Sequence, residues 1–153
     1  MAKSLSANDV ISAVTSNLLD SFEGEITTVY KDTPVQGMIK PCFFIQQLEA
    51  IHNNQMRNTA IRTYFLDVRA HPPDSENNKI TWCNNIGFKL IEVLESIYIC
   101  NELVRATSIR YEIQEEVLHF FVEYSFKVVK VLPPETKMET LETMERIEYG
   151  KRR

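Results

Sequence analysis

The run 117–132 limits the possible folds more than any other stretch, because its side chains alternate with a period of two. Leu118, Phe120, Val122, Tyr124, Phe126 and Val128 share one face, while His119, Glu123, Ser125 and Lys127 fall on the other. This is the pattern of a half-buried β-strand. At about 3.3 Å per residue it would be roughly 50 Å long if unbroken, so a bulge or an arm projecting from the body is expected. Residues 105–113 supply a partner strand, joined through Gln114, Glu115 and Glu116. A hairpin follows from this spacing, although its loop lacks the Asn-Gly or Asp-Gly of the preferred two-residue turns.

Other segments fill in the architecture. Ser6 and Asp9 form a capping-box pattern ahead of Val10, Ile11, Val14, Leu18 and Phe22, which predicts a one-sided helix stopped by Gly24. A β-rich run at 26–30 precedes a loop containing Pro34 and Gly37. Residues 42–50 and 60–70, rich in aromatic and β-branched side chains, read as neighbouring strands separated by His52, Asn53, Asn54 and Gln55. Cys83, Ile86, Gly87, Leu90, Leu94 and Ile97 define the apolar stripe of a second helix, and Gly87 lets that helix sit close to a sheet. Phe88 falls on the nominally wet side, which makes it a candidate contact residue.

The fold class expected is therefore α+β: a mostly antiparallel β-sheet with two α-helices packed on one face, plus a long C-terminal hairpin and an extended tail. With 153 residues, 44% hydrophobic and 25% charged, the chain has the size and composition of one folded domain. Residues 1–132 form its body. Beyond Pro133 the composition turns to Glu, Lys, Thr and Arg, with Met138, Leu141, Met144 and Ile147 spaced as a narrow helical stripe. The tail 133–153 is thus a charged end that either frays in solvent or docks on a neighbouring chain.

Little in the sequence points to chemistry. The four glycines are isolated, so no phosphate-binding loop is present, and no G-x-S-x-G elbow occurs. Cys42, Cys83 and Cys100 never form a C-x-x-C pair and read as reduced, mostly buried thiols. His119 and Glu123 share a strand face but stand about 13 Å apart, too far to grip one metal ion. Glu112, Glu115 and Glu116 cluster at a hairpin tip that faces water, and Arg57, Arg62, Arg69, Arg105 and Arg110 are expected to pair with acids or a partner surface. No cofactor, no metal and no enzymatic activity is expected. A net charge of −4 gives no basic field for nucleic acid. No apolar run approaches the roughly 18 residues that cross a bilayer, so no membrane partner is expected and the product is expected to stay where it is made.

The doublets Phe43-Phe44, Tyr64-Phe65 and Phe120-Phe121 place adjacent rings on opposite faces of their strands. Two helices cover one face, and the other needs a lid. Symmetric self-association supplies it more naturally than folded-back loops do.

Residues 41–45 (Pro-Cys-Phe-Phe-Ile), the strand around Tyr64-Phe65, the second helix leading into 105–112, and above all 117–124 (Val-Leu-His-Phe-Phe-Val-Glu-Tyr) carry a family resemblance. The chain resembles the tail terminator proteins of tailed phages, in the branch found in Gram-positive prophages and phage-tail-like bacteriocins, over roughly residues 7–131. It departs from the pattern at Glu115-Glu116, where the family commonly has Asp-Gly. The resemblance implies a structural virion or tailocin protein whose hexameric ring caps the tail tube. Such a ring ends tube and sheath polymerisation and gives the tail its head-proximal docking surface. The implied partners are further copies of the chain, the tail tube protein, the sheath protein of a contractile tail, and a head connector where a head exists. The implied setting is the bacterial host cytoplasm during assembly and then the head-proximal tail end. Another neck or head-tail connector protein of the same particle is the alternative.

Parity and helical phase assign the subunit or tube interface to Phe43, Phe121 and Glu123 on the sheet and to Phe88 on the second helix. Pro133, Met138 and Leu141 of the tail are expected to reach a neighbour.

Overall fold

The computed structural model describes residues 6–31, 37–131 and 144–148, the side chains of 131 and 144–148 excepted. These residues form two helices, α1 (Ala7–Ser21) and α2 (Lys79–Leu94), and seven strands. The strands are β1 (Val29–Tyr30), β2 (Cys42–Asn54), β3 (Thr59–His71), β4 (Ser96–Ile99), β5 (Glu102–Gln114), β6 (Val117–Val131) and β7 (Met144–Glu148). They make one sheet in the order β1-β2-β3-β6-β5-β4, with β7 pairing β6. Every pairing is antiparallel except the short parallel contact of β1 with β2. Both helices pack on one side of the sheet, so the α+β architecture is as the sequence predicts.

Local chemistry sets the helix ends. Ser6 Oγ accepts from the Asp9 amide at 3.3 Å while Asp9 Oδ2 accepts from the Ser6 amide at 3.0 Å, a reciprocal cap that satisfies two otherwise orphaned donors. After Phe22 the chain turns through Gly24 at φ +86°, a conformation that costs glycine nothing. The carboxamide of Asn78 accepts from the Thr81 amide and starts α2. The predicted second stripe runs three residues too far, because α2 ends at Leu94 and Ile97 belongs to β4. Two side chains from elsewhere take the carbonyls at that end. Tyr124 Oη donates to Leu94 O at 2.6 Å, and Asn17 Nδ2 donates to Val93 O and Ser96 O.

Strand β6 is the axis of the sheet. Its 15 residues run without a bulge, flanked along most of their length by β3 and on the other edge by β5 up to Tyr124, then by β7 from Lys127. The irregularities fall in other strands instead, at Gln47/Glu49 in β2, beyond β3, and at Ala106/Ser108 in the adjacent β5. The tail segment 144–148 is thus a strand, not the helical stripe that the spacing of Met144 and Ile147 suggests. Its reason is the open edge of β6 beyond the end of β5, which a strand can complete and a helix cannot. Met138, Leu141 and Pro133 lie outside the described residues. The turn between β5 and β6 has Glu115 at φ 51° and Glu116 at φ 63°, the two positive values of a type I′ connection, reached here without Asn or Gly.

The core lies between helices and sheet. Val10, Val14 and Leu18 of α1, Cys83, Leu90 and Leu94 of α2, and Leu66, Val68, Leu118, Phe120 and Tyr124 of the sheet are fully buried. Each large side chain of this kind contributes roughly 1.5–3 kcal/mol by leaving water. A Cβ at Gly87 would sit 3.0 Å from the Tyr111 ring, so the glycine does let α2 close on β5. Phe43 requires a correction. Sequence parity puts it on the open face, but its register opposite Ala70 turns it toward the helices, where it is 0% exposed and meets the Phe22 ring edge-on at 5.0 Å. Its neighbour Phe44 takes the open face.

Candidate assembly interface

The sheet face turned away from the helices has no second layer among the described residues. Its side chains come from alternate positions of the three central strands: Phe44 and Gln46 of β2, Thr63, Phe65, Asp67 and Arg69 of β3, and His119, Phe121, Glu123 and Ser125 of β6. Ser108, Arg110 and Glu112 of β5 extend it. Phe121 and Glu123 therefore stand where the sequence predicts, both half-buried. Phe88 is on the opposite side of the molecule, 66% exposed on α2. The structure does not bring Phe88 together with the other two within one chain.

Rings on this face are paired with cations. The Arg110 guanidinium lies 4.3 Å above the Phe121 ring, that of Arg69 lies 5.4 Å from the Phe44 ring, and His119 stacks on Phe121 at 6.3 Å. The aromatic surface is consequently amphipathic, half shielded by groups that water also solvates. At its centre Asp67 is 3% exposed. Its Oδ2 accepts from Arg69 Nε at 3.1 Å and lies 3.3 Å from His119 Nδ1, while its Oδ1 has no hydrogen-bond partner. Arg69 also donates to Gln46 Oε1 at 2.8 Å, so it is held from two sides. Burial, then repulsion from the nearby Lys40, Arg69 and His119 side chains, keeps the His71 imidazole below its ordinary pKa. His119 is spent on Asp67 rather than on Glu123, and the described residues contain no group of three His, Cys, Asp or Glu side chains placed to hold a metal ion.

The two bulges leave a hollow on this face. Leu48 is extruded between Gln47 and Glu49, and the opposite strand slips between Ala106 and Ser108. Leu48, Phe65, Ser108, Arg110, Phe121 and Glu123 enclose a pocket of about 230 Å³. Thr107, the extra residue of β5, is fixed by its hydroxyl donating to Glu123 O at 3.0 Å. Sequence reading missed Leu48, Asp67 and the Thr107 bulge. Only the alternation 65–69 hinted that Asp67 shares a face with Phe65, and nothing local marks a bulge.

Thiol chemistry is quiet on both sides of the sheet. Cys42 and Cys83 are buried and burial raises both pKa values, while Cys83 Sγ donates to Glu116 O at 3.7 Å and ties the hairpin turn to α2. Cys100 is exposed and free.

Among the described residues the molecule has a well-packed core and one aromatic sheet face without a second layer. The family model for phage tail terminator proteins matches residues 9–136. The chain belongs to the phage tail terminator family. No individual curated protein matches it. As a tail terminator it is a structural viral protein of tail assembly, located at the end of the phage tail, that interacts with other tail components. No described helix is long and apolar enough to cross a membrane.

Proposed function

We propose that the chain works as a hexameric ring that caps the completed tail tube at its head-proximal end, in a phage or phage-tail-like bacteriocin of the Gram-positive branch. The observation that carries this reading is the second face of the sheet: three rings, a pocket and a buried carboxylate with no covering layer among the described residues, in a chain whose family acts in tail assembly. A cap acts by shape and contact, and such a face suits that task. One side of the ring matches a tube subunit and docks once. Its other side lacks the groups that would accept a further tube ring, so growth of the tube, and of a sheath where one exists, stops there. The same upper side then meets a head connector.

Within this reading residues 1–132 are the ring body, and the charged tail 133–153, whose segment 144–148 returns to the sheet as β7, reaches a neighbour through Pro133, Met138 and Leu141. Phe121, Glu123 and Phe88 are contact residues. Phe43 is not, because it fills the core of its own protomer. The ring is built in the host cytoplasm. Electron microscopy of particles made with and without this chain tests the function: tubes of unregulated length are expected in its absence, and tubes of normal length without it overturn the capping role.

A further inference from the structure

We propose that Phe88 on α2 of one copy seats in the open-face pocket of a second copy, joining protomers head to tail. The proposal rests on the ring reading for the presence of neighbouring copies and names the contact between them. Three observations lead to it.

First, the knob and the hole lie on opposite sides of one molecule. Cys83, Ile86, Gly87, Leu90 and Leu94 turn α2 toward the sheet, which leaves Ile80, Phe88 and Ile91 on its outer arc, all three exposed. The pocket opens on the far side of the same sheet. A two-fold interface would bring like surfaces together, whereas surfaces on opposite sides of a protomer meet only in a heterologous contact, the kind that closes into rings.

Second, size fits. A cavity of about 150 Å³ is enough to hold a benzene ring, so the pocket of about 230 Å³ accepts a phenyl side chain and its β-carbon. Phe65 and Phe121 supply aromatic wall and Leu48 aliphatic wall for such a ring.

Third, the rims are complementary. One turn from Phe88 stand Asn85 and Glu92, both exposed, and Glu95 lies on the same arc, whereas Lys89 is drawn aside to Glu25 Oε1 at 3.2 Å. On the pocket side Arg110 is 65% exposed over Phe121, with only a 3.9 Å contact to Glu112. Glu92 docks against Arg110, and the Asn85 carboxamide donates to Glu123, giving an apolar centre inside a polar rim.

Cross-linking of full-length chains tests this contact. Two differently tagged variants, each carrying Cys100→Ser, bear Ile91→Cys, one turn from the retained Phe88, or Ser108→Cys, and are mixed on isolated tail tubes with a short bis-maleimide. A covalent dimer containing both tags is expected, and neither variant alone should give one. Phe88→Asp should weaken association on the order of tenfold or more with an unchanged melting curve, since Phe88 is a solvent-facing residue in the free chain. Ser108→Trp, which fills the pocket, should do the same. Rings on the tube without the mixed dimer overturn the contact and leave the ring reading standing. Capture of Ile91→Cys by a tube subunit instead of a second copy also overturns it. Single, unassociated copies on every tube overturn both.

Discussion

The two faces of the sheet are built from the same strands, and often from adjacent residues, yet they solve opposite problems. Phe120 and Phe121 are neighbours in β6. Phe120 turns inward and stacks with Tyr111 under α2, fully buried, while Phe121 turns outward beneath Arg110 and beside His119. Each face also hides a polar group near its centre. On the helix side it is the Tyr124 hydroxyl, satisfied by the last carbonyl of α2. On the open side it is Asp67, with two cationic or potentially cationic partners and one oxygen left without any. The helix-side face is completed by its own chain and so stores folding stability. The open face is only half completed, which is what a surface kept for association requires.

The sharpest way to break this contrast is to truncate the two rings separately. Phe120→Ala should cost about 4 kcal/mol in a urea titration, whereas Phe121→Ala should cost about 1 kcal/mol and act instead on assembly onto tubes. Equal losses of stability would mean that both faces serve the fold. Next in size is Asp67→Ala, which strands the Arg69 guanidinium and the His119 ring beside a buried void. A loss of about 3 kcal/mol is expected by the same titration, toward the low end for a broken buried pair because Arg69 keeps some access to water. The corresponding change on the other face, Tyr124→Phe, removes a single neutral bond and leaves the Leu94 carbonyl unpartnered. Its cost should be about 1.5 kcal/mol, with the loss of helix protection in hydrogen exchange confined to the end of α2.

The smallest effect concerns pH. The His71 pKa is depressed in the folded chain, so the unfolded chain takes up a proton first as pH falls. Its share of stability is therefore intact above the unfolded pKa of about 6.5 and is lost as pH falls from there through the folded value. His71→Gln should flatten the fall in urea midpoint between about pH 7.5 and 5.5. An unaltered slope would assign it to other groups.

Much of the fold was legible because its strongest patterns are local. Alternation along 117–128 defines the inward face of β6 residue by residue, the Ser6 and Asp9 pair marks the start of α1, and Gly87 announces the close approach of α2 to Tyr111. Of the interface, the sequence revealed that rings stand on both sides of the sheet, and it placed Phe121, Glu123 and Phe88 on the faces where they lie.

Tertiary structure decided which ring of Phe43 and Phe44 faces inward, because strand parity has period two within a strand but its phase across strands comes from register, and a slip of one residue exchanges the faces. It turned 144–148 into β7, since a short segment with two apolar residues three apart takes whatever partner is open, here the edge of β6 that β5 leaves free. It also created the pocket, which exists only where bulges in two strands distant in sequence are held on one face by the strands between them. Periodicity records what each residue does relative to its chain neighbours. Pairing across the sheet settles what it does relative to the rest of the molecule.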